Sequence, residues 1–254
     1  MGMTTDAEGK LYVGRIYQDK QHRSKVDVIV WDGGNNDFSF IKPDLHIVLV
    51  DPLRAGHETT HHPGEAVLRM ADIILVAKVN SSSDADIQRV TETAHGINPR
   101  AIITRGASPV QLNQPQRVRG KRVLVVEDGP TITHGGMPYG AGYVAATQAQ
   151  AAEIIDPRSV AVNEITALYA QYPHIGPVLP AVGYHAVQLA ALRETINRAD
   201  VDVIVSATPC NLDALIELNK PVVRARYEFS EVGEPALSSL VECFLSKQHF
   251  RKRR

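Results

Sequence analysis

Short apolar runs of strand length recur along this chain, and each is followed by a polar or small-residue loop and then by a helical pattern. The clearest runs lie at residues 26–31, 45–50, 71–76, 123–126, 201–205 and 220–226. Continuous apolar runs of this length are typical of strands that are buried on both faces. The alternation therefore predicts an α/β fold with a doubly wound, mostly parallel sheet.

Composition limits the function classes that such a chain can serve. The 254 residues are 44% hydrophobic, which is enough to bury one large core or two small ones. Because the net charge is −1, the chain has no bulk electrostatic field that would attract nucleic acid or an anionic membrane. No run approaches the roughly 18 apolar residues of a membrane span, and the first ten residues lack a signal-peptide core. With only two cysteines, we expect a cytoplasmic protein without nucleic-acid or membrane partners.

Changes of pattern divide the chain into four parts. Residues 1–24 are polar and weakly patterned, and residues 25–108 carry the first strands and helices of an α/β core. A Pro- and Gln-rich connector leads to a second α/β domain at 120–247, and residues 248–254 form a basic tail. A solvated terminus explains the tail better than a nucleic-acid contact does.

The stretch at 123–142, VLVVEDGPTITHGGMPYGAG, is the main candidate site. Its strand delivers Glu127 and Asp128 to the carboxyl end of the predicted sheet, where ligands of open α/β sheets bind. The loop that follows is rich in glycine and hydroxyl groups, which suits an anion such as phosphate: Gly129, Thr131, Thr133, His134, Gly135 and Gly136. An ordinary strand-to-helix connection with a carboxylate cap is the alternative interpretation.

An aspartate also ends the apolar run at 26–31. Asp32 stands where a nucleotide-hydrolysing P-loop core places the acid that holds magnesium, although many strands end in aspartate.

The next strand is followed by Asp51 and by a loop with a cation and several histidines. Arg54 suits phosphate oxygens because of its planar fork of donors, and we expect Arg54 and His57 to face a bound phosphate group. A zinc-dependent hydrolase is a further hypothesis, with His57, Glu58, His61 and His62 as ligands. Their spacing is not that of a helical zinc motif, and Pro63 with Gly64 predicts a loop rather than a helix there.

Two further loops carry polar candidates. Lys78 and Asn80 follow the strand at 71–76, at the place where a GTP-binding core reads the base, but the acid of that motif is an amide here. A plain strand-to-helix loop capped near Ser83 is an equal interpretation. The breaker-rich loop at 172–184 surrounds His174 and is expected to be shaped around it or to leave it in water.

Several stretches together are similar to the cyclic 2,3-diphosphoglycerate synthetase family, which includes chains known only as predicted GTPases. They read WDGGNNDFSF at 31–40, DPLRAGHETTHHPGE at 51–65, RMADIILVAKVN at 69–80, VEDGPTITHGGMPYGAGYVAA at 126–146, YPHIGPVLPAVGY at 172–184 and NKPVVRARYE at 219–228. The resemblance covers about residues 26–245.

That resemblance implies a P-loop-type core that uses ATP or GTP with magnesium to close a phosphorylated substrate into an intramolecular phosphoanhydride. By position, Asp32 would face magnesium, Asp51 would lie with Arg54 in a switch-like loop, and Lys78 would lie near the base. Glu127, Asp128 and His134 would be catalytic residues of the signature loop.

One part of the family pattern is missing. Family members carry the phosphate-cradling sequence G-x-x-x-x-G-K-[S/T], whereas lysine follows glycine here only at Gly9-Lys10 and Gly120-Lys121, in the wrong context. We therefore expect the carboxyl-terminal portion of such an enzyme, served by a partner chain or a further segment, and a homo-oligomer. A phosphometabolite-binding module without turnover is the alternative.

Overall fold

A computed structural model describes residues 2–5, 11–14, 29–31, 33, 38, 42–181, 183 and 185–252 of the chain. The chain divides into two compact units. The first unit comprises Met1–Ser108 and Phe229–Arg254, and the second comprises Pro109–Glu228. Each unit is built around its own apolar core.

The strands in the described part are β1 Gly2–Thr5, β2 Leu11–Gly14, β3 Ile29–Trp31, β4 Ile47–Val50, β5 Ile73–Val76, β6 Ile102–Ala107, β7 Val110–Leu112, β8 Arg122–Asp128, β9 Glu153–Ile154, β10 Leu179–Ala181, β11 Val203–Ala207, β12 Val222–Tyr227 and β13 Ser230–Val232. The α-helices are α1 His57–Thr60, α2 Gly64–Arg69, α3 Asp84–Ile97, α4 Gly129–Ile132, α5 Ala141–Gln148, α6 Asn163–Gln171, α7 Ala186–Arg198, α8 Leu212–Leu215 and α9 Leu237–Lys252. Short 3₁₀ turns lie at Pro52–Arg54, Val79–Ser81, Pro115–Arg117 and Pro157–Ser159.

The first unit contains two sheets. Strands β4, β5 and β6 are parallel neighbours, and β13 pairs antiparallel with β6. All four residues of β5 are buried, because strands flank it on both sides and apolar side chains of α2 and α3 cover one face. Strand β1 pairs antiparallel with both β2 and β3 in the other sheet.

A buried asparagine joins the elements of the first unit. Asn98, which follows α3, is 5% exposed, and its Nδ2 donates to the carbonyl oxygens of Leu68, Arg69 and Ala71 at 3.0, 3.2 and 2.9 Å. These carbonyls belong to the end of α2 and the chain just after it, which have no further helical turn to supply donors. Asn98 thereby ties α2 to α3.

The second unit is built on one sheet with the strand order β10-β8-β11-β12-β7, in which β9 also pairs with β8. The neighbours β10, β8, β11 and β12 are parallel, and only β7 runs antiparallel, on β12. Val123–Val126 in β8 are each 0% exposed, because β8 has strands on both sides and helices cover the sheet.

The order of strands places a topological switch point in the second unit. After β8 the chain continues to β10 on one side, and after β11 it continues to β12 on the other side. The loops that leave the carboxyl ends of β8 and β11 therefore diverge, and between two such strands an open α/β sheet is expected to have its ligand crevice. Glu127 and Ala207 are partners in the register, so the EDGPTITHGG loop begins beside this expected crevice.

The predicted α/β class is confirmed, the strand at 123–126 is found within β8, and Ser83 caps the helix that follows the loop after β5, as one interpretation of that loop predicted. The division into units differs from the predicted one, since the connector contains β7 and the chain returns to the first unit at Phe229. Helix α9 continues to Lys252, into the predicted basic tail.

Two local predictions are wrong. The expected buried parallel strand at 26–31 is antiparallel in its described part, and Val30 and Trp31 are 37% and 38% exposed, because its partner is β1 from the weakly patterned segment. The predicted loop after Gly56 begins instead with the helical turn α1. Gly56 turns the chain with a left-handed φ of 102°, and the Gly56 carbonyl oxygen accepts from the Thr59 and Thr60 hydroxyls.

No helix in the described ranges combines the length and the apolar character that a membrane crossing requires.

Replacing Asn98 with alanine tests its role in the first unit. We expect Asn98→Ala to lower the free energy of unfolding by about 2 to 4 kcal/mol, because buried carbonyl groups lose their donor. Urea unfolding followed by circular dichroism measures the change. Thr93→Ala removes a single hydroxyl contact to Arg89 O on the same helix and should change stability by less than about 0.5 kcal/mol. Equal effects of the two substitutions would contradict the assignment.

Candidate functional site

A carboxylate between two cations lies at the carboxyl ends of β4 and β5 in the first unit. Asp51 directly follows β4, and its Oδ2 accepts from Lys78 Nζ at 2.7 Å and from Arg54 Nη2 at 3.0 Å. The other oxygen accepts from the backbone N–H of Leu53 at 3.1 Å. Lys78 reaches this position from the loop after β5 because its own backbone is left-handed, with φ 54°. Such a conformation is uncommon for a residue with a side chain and marks a position held by its surroundings.

The charge state of Asp51 follows from these contacts. Burial alone would raise the pKa of Asp51, but the hydrogen bond from Lys78 and the charges of Lys78 and Arg54 outweigh burial, so the pKa is lowered. The carboxylate is therefore ionised at neutral pH and fixes both cations. The Arg54 and Lys78 side chains remain 37% and 39% exposed, so both present donors to solvent.

A cavity of about 240 Å³ adjoins this cluster. Asp51 and Arg54 line it together with His57, Glu58, His61, His62 and the apolar end of β4. The rings of His57 and His61 stack with centroids 4.1 Å apart. Burial lowers the pKa of His57, and the nearby His61 and Arg54 lower it further, against the opposing charge of Glu58. Arg54 keeps N–H donors beside this cavity that can bind a phosphate group, while Asp51 and Glu58 add negative charge to the same lining.

The zinc alternative does not fit this geometry. In the described part of the chain, no group of three or more His, Cys, Asp or Glu side chains could hold a metal ion. His57 and His61 stack on each other, and Glu58 accepts from the backbone N–H of Gly56 at 2.7 Å.

Asn80, the other predicted base-side residue, has a structural contact. Its side-chain Oδ1 accepts from the backbone N–H of Ser108 at 2.7 Å, which ties the loop after β5 to the end of β6. Asn80 therefore lies apart from the contact between Lys78 and Asp51, although the two residues are close in sequence.

Glu127 is the buried centre of the candidate site in the second unit. It is 1% exposed, and its Oε1 accepts from the backbone N–H groups of Gly140 at 3.0 Å and Tyr143 at 2.8 Å, at the beginning of α5. Burial raises the pKa of Glu127, while these N–H groups and that of Gly142 offset part of the rise. This carboxyl group caps the helix internally, so its geometry is that of a residue that shapes the loop rather than one that meets a ligand.

Two glycines permit this close approach. A Cβ at Gly140 would come within 2.6 Å of Glu127 Oε2, and a Cβ at Gly142 would come within 2.9 Å of Val125 Cγ1 and 3.0 Å of Ala207 Cβ. Both positions therefore require glycine for the start of α5 to pack on the sheet.

Asp128 is the available carboxylate of this loop. It is half-buried at the carboxyl end of β8, beside the crevice between β8 and β11. Its contact with Thr131 is a long one, 3.5 Å from Thr131 Oγ1 to Asp128 Oδ2, and its carboxylate has no other hydrogen bond within the described ranges. An ionised group in this position can accept donors from a ligand.

The remaining loop residues pack against a second segment. Thr133 is buried and donates to Gly129 O at 2.8 Å, while exposed His134 has its Nδ1 3.1 Å from Thr133 Oγ1. His174 Nε2 lies 2.8 Å from Ile132 O, so this nitrogen carries the proton and donates.

The glycines of the loop have different roles. A Cβ at Gly135 would come within 2.3 Å of Thr131 O, and Gly136 has a φ of 67°. Gly129, by contrast, is buried in the first turn of α4 and supplies a carbonyl acceptor.

The predicted site residues thus fall into two groups. Asp51, Arg54, His57 and Lys78 lie in the first unit, with Asn80 apart from them. The second unit holds Glu127, Asp128, Gly129, Thr131, Thr133, His134, Gly135, Gly136 and His174. Asp32, the predicted magnesium ligand, lies outside the described residues.

Sequence reasoning missed several contacts. It assigned Asp51 and Lys78 to different loops with different roles, although the two side chains meet. A signal was available in the sequence, because an acid follows one predicted strand and a lysine follows the next. Parallel neighbouring strands end at the same edge of a sheet, so the two opposite charges can meet there. The sequence also gave no signal for Arg158, which donates to the carbonyl oxygens of Ile175 and Gly176 in the segment after α6.

Comparison with known proteins gives one curated relative, while no family model matches the chain. The chain is 50% identical over 234 residues to arginine synthetase ArcE of Thermococcus kodakarensis. The chain is a homologue of that synthetase. The matched region covers 91% of this chain but 52% of the relative, so the chain spans about half the length of the protein that it resembles.

The Asp51 cluster predicts a pH-dependent contribution to stability. Because the folded pKa of Asp51 lies below its ordinary value of 3.8, the stabilisation is fully present above that pH and is lost as the pH falls through the lowered pKa. At pH 7 we expect Asp51→Asn to destabilise the protein by on the order of 1 kcal/mol, since both cations are more than a third exposed.

Chemical unfolding of wild type and Asp51→Asn between pH 2.5 and pH 7, chosen to span roughly the ordinary range of aspartate pKa values, measures this difference. The gap between the two proteins should shrink as the pH falls. Glu65→Gln, which breaks only the exposed pair with Arg69, serves as the control with little effect. A gap that stays constant over the whole range would argue against a lowered pKa.

The close packing at Gly142 predicts opposite effects for the same substitution at two helical glycines. Gly142→Ala should destabilise the protein by about 1 to 3 kcal/mol, because the added methyl group overlaps Val125 and Ala207. Gly96→Ala in α3 meets nothing within 4 Å and should stabilise by about 0.5 to 1 kcal/mol. Thermal unfolding measures both, and a neutral Gly142→Ala would show that the start of α5 is not held against the sheet.

Proposed function

We propose that this chain is the carboxyl-terminal portion of a ligase that forms arginine and that uses ATP or GTP to activate its substrate by phosphoryl transfer. The observation that carries the proposal is the 50% identity with arginine synthetase ArcE over 91% of the chain. A synthetase that releases arginine must bind arginine as its product. The chain should therefore contain groups for a guanidinium ion and groups for phosphate.

The first unit supplies the proposed phosphate side. Arg54 uses only Nη2 of its guanidinium for Asp51, which leaves the other N–H donors for a ligand in the cavity of about 240 Å³. Lys78 has a single acceptor, Asp51, and keeps further N–H donors. The ionised Asp51 holds both cations in place before a ligand arrives, which lowers the entropy lost on binding.

Magnesium, which the resemblance implies, does not fit this cluster. Asp51 Oδ2 already accepts from two cations and Oδ1 from a backbone N–H, so one acceptor position of the carboxylate is left, and the charges of Arg54 and Lys78 oppose a divalent cation there. No described residue is assigned to magnesium.

The second unit supplies the proposed side for arginine or its precursor. Asp128 has an ionisable, half-buried carboxylate at the switch-point crevice, where open α/β sheets bind ligands. A carboxylate can accept two parallel N–H bonds from a guanidinium, which gives both strength and orientation. Glu127 acts on this site indirectly, by fixing the start of α5.

A phosphometabolite-binding module without turnover is the second candidate. It is favoured by the absence of G-x-x-x-x-G-K-[S/T] from these 254 residues, because that loop positions and neutralises the transferred phosphoryl group. Under the first proposal, a partner chain or a further segment supplies the loop. If the phosphoryl transfer does not act on a precursor of arginine, the reaction proposed instead is the closure of 2,3-diphosphoglycerate into a cyclic phosphoanhydride.

Calorimetry with L-arginine tests the proposal directly. We expect L-arginine to bind, and L-ornithine to bind at least tenfold more weakly because it lacks the guanidinium group. Asp128→Asn should lower the affinity for L-arginine by about 10- to 100-fold, because the site loses a charged acceptor. Asp213→Asn is an isosteric change at an exposed residue of α8 that has no side-chain hydrogen bond or ion pair in the described part of the chain, and it should leave the affinity unchanged.

Two outcomes would redirect the assignment. Binding of 2,3-diphosphoglycerate without binding of L-arginine would favour the cyclic phosphoanhydride reaction. Binding of phosphorylated ligands without nucleotide turnover, even after a P-loop-bearing segment has been supplied, would favour the binding module.

A further inference from the structure

Arg158, an arginine outside the predicted site, donates hydrogen bonds to a segment that contacts the signature loop. The signature loop is defined here as residues 129–140. Arg158 lies in the 3₁₀ turn after β9, and its Nη1 donates to Asp156 Oδ1 and Oδ2, each at 3.1 Å, and to Gly176 O at 3.1 Å. Its Nη2 donates to Ile175 O at 2.5 Å. The guanidinium carbon lies 4.2 Å from the centre of the Tyr169 ring, which is a cation–π contact.

Tyr169 also holds this segment. The ring is 6% exposed within the core, and its hydroxyl donates to Val178 O at 2.8 Å. Burial raises the pKa of Tyr169, so the hydroxyl keeps its proton and remains a donor. Residues 172–178, here called the bracing segment, therefore have three anchored carbonyls, at 175, 176 and 178.

The bracing segment in turn contacts the signature loop at three places. His174 Nε2 donates to Ile132 O at 2.8 Å, and the Gly176 N–H donates to Pro138 O at 2.7 Å. The Tyr172 ring meets His134 edge-on, with centroids 5.9 Å apart. A Cβ at Gly176 would lie 3.0 Å from Pro138 O, so the two backbones approach closely.

We infer that Arg158 is a positioning residue for the signature loop: its guanidinium fixes the bracing segment, and that segment fixes His134 and the loop backbone at Ile132 and Pro138. The inference rests on the proposed function in so far as the loop binds arginine. Two nitrogens of one rigid fork reach two successive carbonyls, and one of them, Nη1, also pairs with Asp156. A lysine would keep one charge but not this set of bonds.

Hydrogen exchange and histidine NMR of the full chain, without ligand, test the inference first. In wild type we expect His174 in the Nε2–H form with a slowly exchanging ring proton, and a protected Gly176 amide. Arg158→Met and Arg158→Lys should both speed hydrogen exchange of the Gly176 amide at least tenfold. In both variants the Nε2–H proton of His174 should no longer exchange slowly. Arg122→Met is the matched control, since it loses ion pairs to Glu153 and Asp200 at the amino end of β8.

The second measurement is the affinity for L-arginine, which we expect to fall about fivefold or more in Arg158→Met and to stay unchanged in Arg122→Met. A residue that only stabilised the fold would lower the midpoint of thermal unfolding but leave the His174 ring form and the Gly176 amide as they are in wild type. That result, or an equal response of Arg122→Met, would overturn the inference. If wild type failed to bind L-arginine, the proposed function would fall while the exchange measurements still decided the role of Arg158.

Discussion

The second unit depends on one buried carboxyl group at the end of its central strand. Glu127 is 1% exposed and accepts from the backbone of Gly140 and Tyr143, which would otherwise be unpaired donors at the start of α5. A buried carboxyl group is expensive unless donors surround it, and the N-terminus of a helix supplies them. Because Glu127 is satisfied internally, its half-buried neighbour Asp128 is the carboxylate of this strand end that keeps only a long contact, with Thr131. Two adjacent acids thus have different roles, set by which side of the strand end each occupies.

The signature stretch could be predicted because its strand, its acids and its glycines are local in sequence. The run at 123–126 specified a strand with both faces covered, and the glycines specified a close approach that the contacts of Gly140 and Gly142 now explain. The roles of Glu127 and Asp128 could not be separated from sequence, because the side-chain directions at the end of a strand depend on where α5 packs. The antiparallel partner of β3 was also out of reach, since β1 lies in a segment with little apolar pattern.

The first unit shows why contacts between loops are harder to predict than contacts within them. Asp51 and Lys78 are 27 residues apart, and only the parallel pairing of β4 with β5 brings their loops to one edge. Once paired, they create a fixed pair of cations, Lys78 and Arg54, around an ionised acid. This arrangement of charges is therefore a product of sheet topology rather than of a recognisable motif, and His57 and His61, two of the predicted metal ligands, stack on each other.

The two units carry different chemistry on the same architectural principle, which is the convergence of polar loops at the carboxyl ends of parallel strands. In the first unit these loops place two cations around one carboxylate, and in the second Asp128 keeps only a long contact with Thr131. A ligase that handles a phosphoryl group and a guanidinium product needs cations for the first and a carboxylate for the second, whereas a simple anion-binding module needs only the cations. The Asp128 carboxylate is thus the structural feature that adds to the sequence identity in favour of the arginine-forming proposal, because the contacts of Glu127 with the start of α5 leave Asp128 as the acid of this pair that can accept from a ligand.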